Sequence, residues 1–397
     1  MYSTQIREND AGQRFDKYLK KLLPAAPDSF LYKMLRKKNI TLNGKKATGD
    51  VKVCLGDEVK LFFSPETLLT FSGGRIRMEE EGEKQGVEKR KEEKKEKQGV
   101  GRKEKQGLDK GREEKREKQG VEKKEKKGVG IHAEHVPSRV GLKGRRAKLS
   151  LADYVLYEDE DVLFLNKPAG ILSQPDKSGI PSLGEYLEEY LLSTGALSAE
   201  DLLTFHPGVC NRLDRNTSGI CLAGKSLRGL QALSELIRER NVKKEYLLLA
   251  EGEIREEREI TAYLHKEEKC NKVWLQNGPE KGGVKIVTRI TPVGWGPTAT
   301  LVLAELVTGK SHQIRAQLSS LGHPLLGDVK YGGRKRPGIS RQMLHAYRMC
   351  FPGEISRLPS LEGRVILAPL PKDFRDAVGE MIGEPSFVLD SLGIGSS

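Results

Sequence analysis

The pattern of apolar and polar positions changes character twice along this chain. From Arg14 onward, Phe15, Tyr18, Leu19, Leu22 and Leu23 fall at helical spacing until Pro24 closes the segment. A second helix, carrying Phe30, Leu31, Met34 and Leu35, is expected behind a cap at Asp28 or Ser29. Ile40-Thr41-Leu42 then meets Asn43-Gly44, a tight hairpin signal because both residues accept positive φ, and a second β run is expected from Val51 to Phe63 with a turn at Gly56-Asp57.

Between Gly73 and Leu149 the apolar rhythm is lost. Two copies of a 21-residue unit, Glu83 to Lys103 and Glu104 to Lys124, offer one or two aliphatic residues each, too few to stack into a solenoid core. Mixed charge interrupted by glycine reads as a disordered linker. The apolar pattern returns near Leu151. Asp161 to Asn166 reads as a buried strand, Leu227 to Arg240 as a helix with Asn241 suited to its C-terminal cap, and Tyr246 to Ala250 and Thr300 to Val307 as further strands. Strands and helices mix without a βαβ cycle, so the fold class expected is α+β, with a mixed or antiparallel central sheet. The organisation is then residues 1–72, a small helix-helix-hairpin domain; 73–150, the charged linker; and 151–397, the main domain.

Charge adds a partner class. Of the net +13, residues 79–127 supply only +4, from 19 basic and 15 acidic side chains, so the foldable remainder is still basic. Such an excess suits phosphate backbones or simple solubility. No apolar run of membrane-spanning length and no secretory leader is seen, so a cytoplasmic monomer is expected. Five cysteines, Cys54, Cys210, Cys221, Cys270 and Cys350, are spread without a C-x-x-C pair or zinc-like spacing, and read as reduced thiols with no structural metal. No G-x-G-x-x-G or P-loop follows a strand, so no nucleotide cofactor is expected either.

Three segments could carry chemistry. Asn211-Arg212-Leu213-Asp214-Arg215-Asn216-Thr217-Ser218-Gly219 is polar and turn-rich, and Asp214 alone would pass for a turn residue. Thr308-Gly309-Lys310-Ser311-His312-Gln313-Ile314-Arg315 follows a strand and opens a helix, with Ser311 as the expected N-cap, Ile314, Leu318 and Leu321 as its apolar stripe and Gly322 as its end. Lys243-Lys244-Glu245-Tyr246 places a tyrosine at the start of a strand.

In this order the three segments resemble the ribosomal RNA pseudouridine synthases whose catalytic motif is H-R-L-D-x-x-T-S-G. The resemblance covers residues 153 to 375 and extends to Asn166-Lys-Pro-Ala-Gly170, Gly322-His-Pro-Leu-Leu-Gly-Asp328, Tyr331-Gly332 and Leu344-His-Ala346. The departures are Asn211 for His, Lys310 for the frequent Arg and Gln317 for the frequent His. The N-terminal region resembles, over about fifty residues, the RNA-binding domain named after a small-subunit ribosomal protein, the S-four type. The two resemblances imply an enzyme that isomerises uridine to pseudouridine in RNA, large-subunit ribosomal RNA first among substrates, without metal or cofactor. They imply Asp214 as nucleophile on a flipped uridine, Arg315 as its guanidinium partner, Tyr246 stacked on the base and Arg212 holding the rearranged RNA. Lys33, Arg36, Lys37, Lys38 and Lys45 would meet phosphate. A transfer-RNA substrate, or a non-catalytic ribosome-assembly protein, are the alternatives.

Overall fold

The computed structural model describes residues 1–77, 149–267, 272–276, 278 and 283–383. It divides into two compact units: Met1–Ile6 with Ala11–Pro137, and Arg7–Asp10 with Ser138–Ser397. The charged repeats expected as a linker lie outside the described residues.

Among its described residues the first unit pairs a three-stranded sheet with three helices. Strands β1 (Tyr2–Gln5), β2 (Ile40–Leu42) and β3 (Glu58–Leu61) run in the order β1-β3-β2, all antiparallel. Helices α1 (Phe15–Leu22) and α2 (Asp28–Arg36) bury Phe15, Tyr18, Leu19, Leu22, Leu31, Met34 and Leu35, as their spacing demands. The turn falls at Asn43 (φ 51°) and Gly44 (φ 70°), both left-handed. Two expectations change. Pro27, not Asp28 or Ser29, occupies the N-cap of α2. The second β run begins only at Glu58, because Val51 and Val53 give their backbone to the entrance of α1: Phe15 N–H donates to Val51 O at 2.8 Å and Val53 N–H to Gln13 O at 3.0 Å. Beyond the hairpin a third helix, α3 (Pro65–Phe71), starts at Ser64, whose side chain accepts from Thr67 N–H.

The second unit is built on one eleven-stranded sheet. Its strands are β4 (Val155–Glu158), β5 (Val162–Lys167), β6 (Gly208–Val209), β7 (Ser218–Gly224), β8 (Lys243–Glu251), β9 (Arg258–Glu267), β10 (Lys272–Gln276), β11 (Val284–Trp295), β12 (Ala299–Leu306), β13 (Leu344–Cys350) and β14 (Val365–Leu367). The order is β10-β9-β11-β12-β8-β13-β7-β5-β4, with β14 on β13 and β6 on β7. Every pairing is antiparallel except β13 with β7. Two antiparallel halves therefore meet at one parallel junction, which makes the α+β class with a mixed sheet a direct observation. Four helices cover the faces: α4 (Leu183–Ser193), α5 (Leu227–Arg238), α6 (Gln313–Ser320) and α7 (Lys372–Ile382). Leu163, Leu165, Cys221, Tyr246, Leu248, Val302 and Ala346 line one face of the sheet with α4 and α6, while Leu247, Leu249, Leu301 and Tyr347 turn to α7.

Helix ends depart from expectation in two places. Helix α5 ends with Glu239 as its C-cap and Arg240 in the left-handed region (φ 63°), one residue before the Asn241 favoured by propensity. The N-cap of α6 is His312, itself left-handed (φ 58°), and not Ser311. Among the described residues no helix is long and apolar enough to cross a membrane, and no group of acidic, His or Cys side chains is arranged to hold a metal.

The parallel junction is tight. Ser218 and Gly219 of β7 pair with His345 and Ala346 of β13, and a Cβ on Gly219 (φ 109°) would overlap the Ala346 carbonyl oxygen and come within 2.6 Å of its nitrogen. Backbone conformation and space both demand glycine here. Gly219→Ala should cost about 2–4 kcal/mol of stability in urea unfolding; a change below half of that would show that the two strands separate cheaply.

Candidate active site

The junction sets two parts of the site along one row. Gly219, Ala346, Tyr246 and Ala304 are successive partners across β7, β13, β8 and β12. The polar turn 211–217 leads into the first of these strands, and Tyr246 lies two strands away.

The turn is held from several sides. Thr217 N–H donates to Asp214 O at 3.0 Å. The Ser173 hydroxyl donates to Leu213 O at 2.9 Å and accepts from Leu213 N–H at 3.1 Å. Gly170 N–H donates to Arg215 O at 2.8 Å, and Arg215 Nε returns a bond to Gly170 O at 3.0 Å. Below them Lys167 is fully buried, its Nζ donating to the carbonyls of Pro168, Ile171 and Arg215 at 3.0, 2.8 and 3.1 Å. Burial pushes that ammonium down to about 8. Arg341 Nη1 reaches Asn216 O at 3.2 Å while its fork clasps Asp373 at 2.6 and 2.9 Å, and Gln342 Nε2 donates to Thr217 Oγ1 at 3.3 Å. The Asp214 carboxylate takes no part in these bonds.

That carboxylate meets Arg315 from α6. Arg315 Nη1 donates to Asp214 Oδ2 at 2.8 Å. The same guanidinium donates through Nε and Nη2 to Asp328 at 2.6 and 2.7 Å, and it lies 4.9 Å from the centre of the Tyr331 ring. Burial opposes its charge, but hydrogen bonds and attraction from Asp328 and Asp214 outweigh that, so the cation is held more firmly than usual. Exposure separates the two acids: the Asp214 side chain is 23% exposed and that of Asp328 only 1%. One carboxylate orients the arginine; the other can meet a ligand.

His312 closes the constellation. Its Nδ1 is 2.8 Å from the Tyr331 hydroxyl, which accepts from Val273 N–H at 3.2 Å, and its Nε2 is 3.8 Å from Asp214 Oδ1. Burial lowers its pKa, with Asp214 opposing and Arg315 and Lys330 reinforcing. A neutral ring with its proton on Nε2 accepts from Tyr331 through Nδ1 and turns an N–H toward Asp214. The phenol of Tyr246 is raised by burial and by the charges around it, so it rests protonated.

The expected site residues thus divide. Asp214 and Arg315 are in contact, and Tyr246 lies in the same row of the sheet. Arg212 is exposed, with no protein partner among the described residues. Lys33, Arg36, Lys37, Lys38 and Lys45 belong to the first unit and are all exposed. Asn211 and Gln317, two of the departures from the motif, have internal duties: Asn211 bridges Ile220 O and Leu222 N–H at 3.1 and 2.7 Å, and Gln317, fully buried, accepts from Thr288 Oγ1 at 2.6 Å and donates to Ile260 O at 2.9 Å. Sequence reasoning gave no role to Lys167, His312, Asp328, Tyr331 or Arg341. Their signal was present as charged or polar residues inside otherwise apolar motifs, but only contacts across 13 to 125 residues give it meaning. Of the five cysteines the four described are free, Cys54, Cys210, Cys221 and Cys350.

A family model described as RNA pseudouridylate synthase matches residues 161–320, a span holding Asp214, Tyr246 and Arg315. Ribosomal large subunit pseudouridine synthase C of Escherichia coli (strain K12) is 27% identical over 376 residues, covering 89% of this chain and 90% of that protein. Its namesake in Pasteurella multocida is 28% identical over 393 residues, covering 95% and 92%. Among solved structures, Human RNA Pseudouridylate Synthase Domain Containing 4 aligns at 18% identity with a TM-score of 0.47, over 57% of this chain and 92% of that one. The chain belongs to the RNA pseudouridine synthase family. It is an isomerase that converts uridine to pseudouridine in RNA.

The junction under the 211–217 turn also titrates. His345 is fully buried, its Nδ1 2.9 Å from Ser218 Oγ and its Nε2 3.1 Å from Ala368 O, and burial pushes it from 6.5 down to about 4. Between those values the unfolded chain binds a proton that the folded chain refuses, so stability falls as pH drops through that window, by about 3 kcal/mol from this group. Urea unfolding at a series of pH values should show a shallower acid loss in His345→Gln than in the parent. Parallel curves would mean that the imidazole is already charged in the fold.

Proposed function

We propose that the substrate is large-subunit ribosomal RNA and that Asp214 is the nucleophile. The observation that carries the catalytic assignment is the shared guanidinium: Arg315 is locked by a buried carboxylate, Asp328, and extends its remaining nitrogen to a partly exposed one, Asp214. A donor fixed in this way holds the Asp214 carboxylate oriented without any rearrangement when substrate arrives. Among the described residues the hydrogen bond to this carboxylate is on Oδ2, and His312 Nε2 stands 3.8 Å from Oδ1, which leaves Oδ1 the reactive oxygen.

The reaction breaks the bond between uracil nitrogen and ribose, turns the ring and rejoins it through carbon. The target base must leave its stack to reach Asp214. Tyr246, whose phenol is protonated at rest, acts first as a surface against which the uracil lies. Arg212 and Arg215, both exposed and on either side of Asp214 in sequence, are placed to hold the displaced backbone. The first unit supplies Lys33, Arg36, Lys37, Lys38 and Lys45 as phosphate contacts of an S-four-type domain. The ribosomal address follows from the names of the relatives that align over about nine-tenths of their length; the transfer-RNA and non-catalytic alternatives receive no such support.

Asp214→Asn should abolish pseudouridine formation in large-subunit ribosomal RNA while RNA binding persists, since shape is nearly kept and charge is lost. Sequencing-based mapping of pseudouridine in transcripts treated with each protein is the measurement, and full activity in Asp214→Asn would refute the assignment. In the same assay Arg315→Lys should lose at least about 100-fold in turnover, because an ammonium cannot hold Asp328 bidentately and Asp214 together. Lys38→Ala should instead leave turnover at saturating RNA within about twofold and reduce the salt dependence of binding.

A further inference from the structure

The end of the sheet formed by β10, β9 and β11 is apolar on one side and aromatic on the other. Ala262, Leu264, Val273 and Ile286 pack with Ala316 and Tyr331. Alternation along a strand sends Tyr263, His265 and Trp274 to the opposite side, where the register sets Trp274 against His265, and both Gln276 and Lys285 against Tyr263. The His265 and Trp274 rings lie flat on each other, with centroids 4.1 Å apart and planes 8° from parallel. Trp274 is nonetheless 51% exposed.

A large indole held flat on an imidazole at an open strand edge is a rigid π surface ready for another ring. Unpaired nucleobases stack on such surfaces whatever their sequence, whereas bases inside a duplex have their faces covered. The charge of the patch has the right sign for nucleic acid. Lys285 is exposed with no ion pair among the described residues, and Glu259 and Glu305, further along this face, are bound to Arg289 at 2.9 and 3.4 Å. The patch is also incomplete in its hydrogen bonds. Among the described residues three buried side-chain polar atoms lack a partner, and two of them are His265 Nε2 and Gln276 Oε1.

Position connects it with the catalytic centre. Val273, next to Trp274 on the edge strand β10, donates its N–H to the Tyr331 hydroxyl, and that hydroxyl touches His312. An RNA strand leaving Asp214 and crossing β10 meets the indole on the other side. We propose that Trp274, His265 and Tyr263 form a stacking site for an unpaired base of the RNA, with Lys285 on the adjoining phosphate. The identity of the polymer rests on the pseudouridine synthase reading, but the site is tested without catalysis.

The chain has two tryptophans, Trp274 and Trp295, so Trp295→Phe in the full-length protein leaves Trp274 as the sole indole. Titration with single-stranded octaadenylate, which holds no uridine to react, should quench its fluorescence. Trp274→Ala should weaken that binding, followed by anisotropy of labelled RNA, about 5- to 100-fold. Trp274→Phe, checked for fold by circular dichroism, should retain most of the affinity. A blunt-ended duplex should bind equally well to parent and Trp274→Ala. Unchanged fluorescence, or equal losses on octaadenylate and duplex, would overturn the proposal in favour of bare charge. Self-association that Trp274→Ala removes, seen in sedimentation, would overturn it in favour of a second copy of the chain. If Asp214→Asn loses isomerisation yet quenches normally, both readings stand; if it isomerises normally while Trp274→Ala loses octaadenylate, the stacking site stands and the Asp214 assignment falls.

Discussion

The geometry of the proposed catalytic centre depends on one arginine between two carboxylates. Arg315 spends two of its nitrogens on Asp328 and one on Asp214. A buried ion pair gains little stability over an apolar pair, because both charges lose their hydration. Its value here is direction. The planar fork fixes the guanidinium against Asp328, the Tyr331 ring lies 4.9 Å beneath, and the third nitrogen then points where Asp214 must be. A lysine in its place would offer charge without a plane. The arginine and Asp214 are 101 residues apart in sequence, so the fold has to deliver the second partner with comparable accuracy.

That delivery is the task of the parallel junction. A polar turn at a strand end would ordinarily be mobile, but this one enters β7 beside β13, where Gly219 lets two backbones approach to a distance that a methyl group would prevent. The turn is then bonded from the 168–173 loop through Lys167, Gly170 and Ser173, and from the segment before β13 through Arg341 and Gln342. Arg341 in turn is clasped by Asp373 of α7. Charged groups that would be costly inside an apolar domain serve as backbone ligands, and each satisfies carbonyls that the turn exposes. Lys167 shows the cost openly in its lowered pKa.

How much of this could be read from the chain differs element by element. The amphipathic helices α1, α2 and α5 and the strands around Tyr246 and Leu303 were legible, because local spacing and burial agree there. Asp214, Tyr246 and Arg315 were legible as members of known motifs, and hardly at all as a carboxylate in a turn, a tyrosine in a strand and an arginine in a helix. Where tertiary bonds outvote local preference, the reading failed. Val51 and Val53 are β-branched but give their backbone to the start of α1. Ser311 is the better N-cap by propensity, yet His312 takes the position with a left-handed backbone, in a conformation that also sets its ring between Tyr331 and Asp214. Asp328 could not have been distinguished from a loop acid without seeing which guanidinium it binds.

The protonation states in the cleft fit the balance of the reaction. Uridine and pseudouridine have the same atoms: a hydrogen leaves ring carbon and one appears on ring nitrogen, so the enzyme needs no group that keeps a proton. Tyr246 rests as a neutral phenol and His312 is biased toward a neutral imidazole, while Arg315 is a firmly held cation. None of these is a strong resting base. Asp214 is the one carboxylate here that is both partly exposed and bonded to only one nitrogen of Arg315. Such a carboxylate, set against fixed donors, suits the proposed nucleophile, which makes and releases a bond to the substrate and leaves the proton to travel within the site. A stronger base would hold what the product must take back.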